Sequence, residues 1–129
     1  MRIVYLCYYD TLENDKENRY YVLSAKNKID YITSVLKTLG HKVQIVSASH
    51  TQNKGLCPAH DVEIEDGIRL KLFSSFGYKS LVKKILSKIY ISIQLFTWLL
   101  FKLKKKDILI VYHSMGYMNL IKALRMIKK

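Results

Sequence analysis

Two polar residues, His113 and Ser114, directly follow the last apolar run of the sequence. This run, residues 107–112 (DILIVY), is typical of a buried parallel strand, and a helical pattern over 117–129 follows it. Ligands of open α/β sheets bind at the carboxyl ends of the strands. An imidazole can orient or deprotonate a hydroxyl group, and a serine hydroxyl with the next backbone N–H groups can bind a phosphate or a sugar hydroxyl. We therefore predict that His113 and Ser114 bind substrate; the alternative is that Ser114 only caps the helix.

A second polar group follows the first apolar run. Residues 2–8 form the first predicted strand, and the loop after it carries Asn18, Arg19 and two tyrosines. A guanidinium group binds phosphate through paired hydrogen bonds, and a tyrosine ring can stack on a sugar. Because the carboxyl ends of parallel strands meet at one edge of a sheet, we expect Asn18 and Arg19 to lie near His113 and Ser114. The alternative is a solvated loop without a ligand.

The elements that position these residues alternate between strand and helix. Apolar runs at 2–8, 42–47 and 107–112 are separated by helical patterns at 25–39 and 78–103. This order predicts an α/β fold with a mainly parallel sheet, with those three strands at its centre and with helices on both faces.

Turn residues and chain length complete the outline. Asp66-Gly67 lies between two alternating segments and predicts a hairpin toward one edge of the sheet. Ser24 is the expected N-cap of the first helix, and Gly40 its expected end. Residues 1–129 fit a single domain. Since no strand follows the last helical pattern, we expect the sheet to be incomplete at the C-terminus.

The helical pattern at 78–103 has two apolar faces. We expect the broader face to cover the sheet; it consists of Leu81, Val82, Ile85, Leu86, Ile89, Ile93, Phe96, Leu100 and Leu103. The opposite face has lysines at both ends of an apolar patch and consists of Lys83, Lys84, Lys88, Ile91, Leu95, Trp98 and Lys102. With a net charge of +12, this pattern favours contact with an anionic membrane surface, and contact with another domain is the alternative. The uncharged stretch 89–101 is too short to span a bilayer.

Several other kinds of site are disfavoured. The sequence has no P-loop and no G-x-G-x-x-G turn, which disfavours dinucleotide binding. The spacing of His50, Cys57, His60 and Asp61 does not match the paired ligand motifs of zinc sites, such as C-x₂-C or H-x₃-H, so no metal is expected. Asp10 has no acidic neighbour of the kind that a receiver domain needs. The lysines have aliphatic rather than aromatic neighbours, so no nucleic acid partner is expected. Two cysteines do not form a disulfide framework and indicate a reducing compartment.

Three segments resemble a known family. MRIVYLCYY, NRYYVLSAKNKIDYITSVLKTLGHKVQIVSAS and DILIVYHSMGY resemble the N-terminal domain of GT-B glycosyltransferases of the family 4 type, especially those from polysaccharide gene clusters. The resemblance covers nearly the whole chain. It implies a Rossmann-like fold, an acceptor-binding role, and a nucleotide-sugar donor held by a second domain without a metal or other cofactor. The family's E-x₇-E donor signature has no counterpart, because no Glu follows Glu65.

The resemblance also implies a function. The chain would be the acceptor-binding part of a glycosyltransferase that transfers sugar to a glycan or lipid-linked acceptor, and it would be inactive without a donor-domain partner. Asn18, Arg19, His113 and Ser114 would lie on the acceptor side of the cleft, while no catalytic residue is identified. The location would be cytoplasmic, at the inner face of the plasma membrane. The alternative is a non-catalytic membrane-surface or interaction module with a Rossmann-like fold.

Overall fold

The computed structural model describes residues 1–11, 16–53, 55–77, 80–112 and 115–128. It is an α/β fold with three helices and a mixed, mostly parallel five-stranded sheet, which confirms the predicted class. In chain order the elements are β1 (Arg2–Cys7), α1 (Leu23–Thr38), β2 (Lys42–Ser47), β3 (Leu56–Cys57), β4 (His60–Glu65), β5 (Ile68–Leu72), β6 (Ser75–Phe76), α2 (Leu81–Lys102), β7 (Ile108–Val111), a 3-10 turn (Met115–Tyr117) and α3 (Met118–Ile127).

The strands of the main sheet have the order β4-β5-β2-β1-β7. Strands β5, β2, β1 and β7 are parallel, and β4 is antiparallel to β5. The β4–β5 hairpin turns at Asp66-Gly67, where Gly67 has φ 83°, and it lies at one edge as predicted. The prediction of a central place for β7 is wrong: among the described strands β7 pairs with β1 alone and forms the other edge. An apolar run does not distinguish these positions, because a helix covers the face of an edge strand too.

Side chains of β1 alternate between two cores on opposite faces of the sheet. On one face Tyr5 and Cys7 pack with Ile29 of α1. On the other face Val4 and Leu6 pack with buried residues of both α2 and α3. Helices therefore lie on both faces, and the sheet forms the middle layer.

Glycine ends α1, but serine does not begin it. Gly40 has φ 88°, its N–H donates to the Lys37 carbonyl at 2.9 Å, and the N–H of His41 donates to the Leu36 carbonyl at 3.1 Å. These two bonds are those of a Schellman motif. The predicted N-cap is wrong, because α1 begins after Val22, and Val22 makes no side-chain capping bond.

Helix α2 packs on the sheet with the face that the sequence analysis assigned to the membrane. Ile91 and Leu95 are fully buried, and Trp98 is half-buried against the same core. The face expected to cover the sheet is largely exposed instead, including Leu81, Val82, Ile85, Leu86, Ile89 and Ile93. The predicted membrane contact of Ile91, Leu95 and Trp98 is therefore wrong.

Two polar residues on α2 account for this orientation. The Ser87 hydroxyl donates to the Phe76 carbonyl at 3.0 Å. The Gln94 side chain accepts from the Ser74 N–H at 3.1 Å and donates to the Ser74 carbonyl at 2.7 Å. Both face the loop around β6, so the side of α2 that carries Ile91 must face the sheet. The predicted lysines remain at the surface: Lys83, Lys88 and Lys102 are exposed and Lys84 is half-buried.

Candidate functional site at the carboxyl edge of the sheet

A pocket of about 420 Å³ opens at the carboxyl ends of β1 and β7. Tyr8 directly follows β1, Tyr112 directly follows β7, and the remaining walls come from the loop before α1 and from the first turns of α1. This is the edge at which open α/β sheets bind ligands. The lining consists of Tyr8, Tyr20, Val22, Ser24, Ala25, Lys28 and Tyr112.

Aromatic rings form much of the wall. The Tyr8 and Tyr20 rings meet edge to face with their centroids 5.9 Å apart. On its other side the Tyr20 ring stacks on the His50 ring, with the centroids 5.6 Å apart and an interplanar angle of 10°. The Lys28 ammonium lies 5.8 Å from the centroid of the Tyr112 ring. The wall thus combines flat apolar faces with an exposed cation.

The backbone explains how Tyr20 is held. Arg19 and Thr51 form an antiparallel bridge, the Tyr20 N–H donates to the His50 carbonyl at 2.9 Å, and the Gln52 N–H donates to the Asn18 carbonyl at 2.9 Å. Side chains alternate along such an extended segment, so Arg19 points inward and Tyr20 outward.

Hydroxyl groups continue the site toward α2 and α3. The Tyr8 and Tyr117 hydroxyls lie close to each other, and Ser92 of α2 lies close to the Tyr117 hydroxyl. Burial raises the pKa of Tyr8, and burial together with the neighbouring Tyr8 raises the pKa of Tyr117. Both phenols therefore stay protonated near neutral pH and can donate a hydrogen bond.

The charge of the site is positive. Burial lowers the pKa of His50, and the ammonium groups of Lys88 and Lys84 lower it further, so the imidazole is neutral near pH 7. Lys28 adds a third cation. None of the described residues that line the pocket carries a carboxylate. The arrangement can bind an anion and stack a ring, and its lining offers no carboxylate for acid–base catalysis.

Arg19 does not lie in the pocket. It is 3% exposed, and its guanidinium donates to the carbonyls of Ser49 at 3.1 Å, Phe73 at 2.8 Å and Pro58 at 2.8 Å. It also pairs with Glu17 at 2.5 Å. These partners use its hydrogen-bonding capacity to join three loops. The prediction that Arg19 meets an acceptor phosphate is therefore wrong.

The other predicted residues have different outcomes. Asn18 is exposed in a left-handed conformation with φ 44° and is not among the residues that line the pocket. His113 and Ser114 lie outside the described residues, so their part in the site stays a prediction. In the sequence they follow Tyr112, which does line the pocket.

The start of β4 is tied to the segment before α1 by two side chains. His60 Nε2 contacts Glu17, the same carboxylate that binds Arg19. Within the described ranges, no three His, Cys, Asp or Glu side chains are grouped so that they could hold a metal ion.

Sequence reasoning missed Tyr8, Lys28 and Tyr112 as members of the site. A usable signal was present, because a tyrosine ends both the first and the last apolar run of a chain with ten tyrosines.

Comparisons with protein-family models, curated proteins and solved structures give no match, so the function has to be inferred from the residues of this chain.

Proposed function

We propose that this chain is a Rossmann-like acceptor-binding domain of a glycosyltransferase. The observation that carries the proposal is the pocket of tyrosines beside Lys28 at the carboxyl ends of two parallel strands. The parallel order β5-β2-β1-β7, with α1 crossing between β1 and β2, supports the Rossmann-like assignment because it matches half of a doubly wound sheet.

The pocket suits a phosphorylated or lipid-linked saccharide. Tyrosine faces stack on the apolar face of a sugar ring, and the tyrosine hydroxyls can bind its hydroxyl groups. Lys28, with Lys84 and Lys88 nearby, favours a phosphate group. A free glycan would use the aromatic wall alone.

An apolar groove next to the pocket favours a lipid-linked acceptor. This groove of about 420 Å³ runs between α2 and α3, and it is lined by apolar side chains that include Ile85, Ile89, Ile93, Phe96 and Leu120. Ser92 also lines the groove and lies next to Tyr117, which in turn lies next to Tyr8 of the pocket. A ligand with an apolar tail in the groove would therefore hold its polar head in the pocket.

The donor would come from elsewhere. A nucleotide-sugar would be held by a second domain, on the same chain or on a partner chain, without a metal or other cofactor. The 129 residues alone would bind acceptor without transferring sugar, since placing two substrates across a cleft supplies much of the rate.

The exposed face of α2 supports a peripheral membrane location at the cytoplasmic side. It carries apolar side chains next to Lys83 and Lys88, and Lys102 lies at the far end. By length and composition α2 is also long and apolar enough to cross a membrane, but the same is true of helices that pack in the core of a soluble protein. This face equally favours a second candidate function, a non-catalytic membrane-surface module.

The acceptor site is tested by NMR titration of the chain with glucose 1-phosphate, N-acetylglucosamine 1-phosphate and inorganic phosphate. We expect the sugar phosphates to shift the signals of Tyr20 and Lys28. Tyr20→Ala and Lys28→Gln should each weaken binding about tenfold, the value of one stacking or charge contact. Tyr31→Ala and Lys42→Gln, which change exposed side chains that do not line the pocket, are the controls. Sugar phosphates that bind no better than phosphate, or variants that bind as well as the controls, would contradict the proposal.

A further inference from the structure

A groove of about 990 Å³ lies along the outer side of β7. Its walls are this strand, the segment between α2 and β7, and α3. Its floor is apolar and consists of Ile108, Leu109, Val111, Ile121 and Leu124. The groove is separate from the aromatic pocket, with which it shares no lining residue.

The backbone at this edge has hydrogen-bonding groups to offer. Within the described chain β7 pairs only with β1, and the Tyr112 N–H donates to the Leu6 carbonyl at 2.9 Å. Because inward and outward groups alternate along a strand, the N–H and C=O groups of Leu109 and Val111 point away from β1, into the groove. A row of such groups is a template for a further strand.

The rim of the groove is strongly basic. Its cations are Lys104, Lys105, Lys122, Arg125 and Lys128. The single acid in the lining, Asp107, is already paired with Arg2 and accepts from the Lys104 N–H at 2.7 Å. These bonds outweigh the effect of burial and hold the pKa of the Asp107 carboxyl below its usual range. The rim therefore presents a net positive charge to whatever enters the groove.

The wall formed by α3 is bonded to the segment between α2 and β7. The Lys128 ammonium donates to the Leu103 carbonyl, which ties the end of α3 to the segment before β7. Leu124 is buried in the core shared with α2, so α3 keeps its place beside the strand. The groove is thus built from packed elements on its described sides.

We infer that the edge of β7 binds an extended segment of a partner protein in which apolar residues are flanked by Asp or Glu. The segment adds as a sixth strand, its backbone bonds Leu109 and Val111, its apolar side chains cover the floor, and its carboxylates meet the rim. A second copy of this chain does not fit, because it brings the same basic rim and a net charge of +12. This inference is independent of the acceptor site.

The test uses a synthetic peptide, acetyl-EEVTVTVE-amide, with the 129-residue chain. We expect binding that slows hydrogen exchange of the Leu109 and Val111 amides by about tenfold or more, because these N–H groups gain partners. The same peptide N-methylated on alternate residues, and a KKVTVTVK peptide, should bind at least about tenfold more weakly. They remove the backbone bonds and reverse the charge without altering the protein.

Substitutions in the basic rim test the same contact from the side of the protein. The double change Lys122→Glu with Arg125→Glu should weaken binding of the acidic peptide by about tenfold or more and strengthen binding of the lysine peptide. The control is Lys42→Glu, which changes an exposed lysine at the start of β2 that does not line the groove. It should alter binding less than twofold, because salt screens charges that lie apart on the surface. No binding at millimolar peptide, binding without protection of Leu109 and Val111, or a dimer that protects these amides without peptide would overturn the inference.

Discussion

Arg19 and Tyr20 are neighbours in the chain with opposite environments. Arg19 is buried and joins the segments around Ser49, Pro58 and Phe73, while Tyr20 is exposed and stacks on His50. A guanidinium that bonds three backbone carbonyls fixes the position of the next residue. Arg19 thus contributes to the pocket indirectly, by holding the ring of Tyr20 in place.

Replacing Arg19 should therefore affect stability first. Arg19→Met keeps much of the side-chain volume but leaves Glu17 and three backbone carbonyls, those of Ser49 and Phe73 in buried surroundings, without this partner. We expect a loss of about 3–5 kcal/mol in the free energy of unfolding, the usual cost of breaking a buried, hydrogen-bonded charge pair. Urea unfolding measures it. Arg69→Met, which breaks a half-exposed pair with Asp61, is the control and should cost less than about 1 kcal/mol. Equal losses in the two variants would refute the structural role of Arg19.

His50 should make stability depend on pH. Its pKa in the folded chain is lowered by burial and by Lys88 and Lys84, whereas in the unfolded chain it is about 6.5. Between these two values the unfolded state binds more protons, so the contribution of His50 to stability is complete above about pH 6.5 and is lost as the pH falls below it.

Unfolding free energies at pH 7.5 and pH 5 test this sign. His50→Gln should show a smaller loss of stability on acidification than the unchanged chain, because the group that takes up the proton on unfolding is gone. His41→Gln, at the half-buried turn between α1 and β2, serves as the control and should keep the original pH dependence. An unchanged pH dependence in His50→Gln would show that other groups cause it.

At the scale of elements, local patterns predicted most of the secondary structure. Strand β2 begins and ends at the predicted residues, and α1 ends at the predicted glycine, because side-chain alternation and glycine geometry act within a few residues. Two features depend on contacts distant in sequence and were not predictable in this way. They are the edge position of β7 and the face of α2 that packs, which Ser87 and Gln94 set through the loop around β6. For the same reason, the sequence did not reveal that Arg19 points inward.

The packed face of α2 can be tested with one substitution at two nearby positions. Ile91 is 2% exposed and Ile93 is 60% exposed on the same helix. Ile91→Ala should lower the free energy of unfolding by about 2–5 kcal/mol, because it leaves a cavity in the core. Ile93→Ala should change it by less than about 1 kcal/mol, since alanine favours helix and little apolar contact is lost. The reverse order in thermal or urea unfolding would restore the orientation expected from periodicity.

At the scale of the whole molecule, charge and apolar surface lie close to the candidate site. Lys84 and Lys88 lower the pKa of His50, and Ser92 lies next to Tyr117, so the side of α2 that borders the groove also borders the pocket. A lipid-linked acceptor in a membrane under this face could place its head group in the pocket without leaving the bilayer. The proposed membrane contact and the proposed acceptor class are therefore consistent with each other.

Binding to liposomes tests this arrangement. The chain should sediment with vesicles that contain phosphatidylserine and less so as salt is raised, because each lysine near the surface contributes about 1 kcal/mol that salt screens.

Ile85→Ser with Ile89→Ser should weaken binding roughly ten- to a hundredfold, since each half-exposed isoleucine would lose about 1 kcal/mol of burial. Replacing Lys83, Lys84 and Lys88 by Gln should weaken it as well. Val35→Ser with Leu39→Ser removes exposed apolar groups from α1 and its C-cap, on the other face of the sheet, and should leave binding unchanged. If the two double variants lose binding equally, or if the unchanged chain stays in the supernatant, the exposed face of α2 is a protein contact and not a membrane contact.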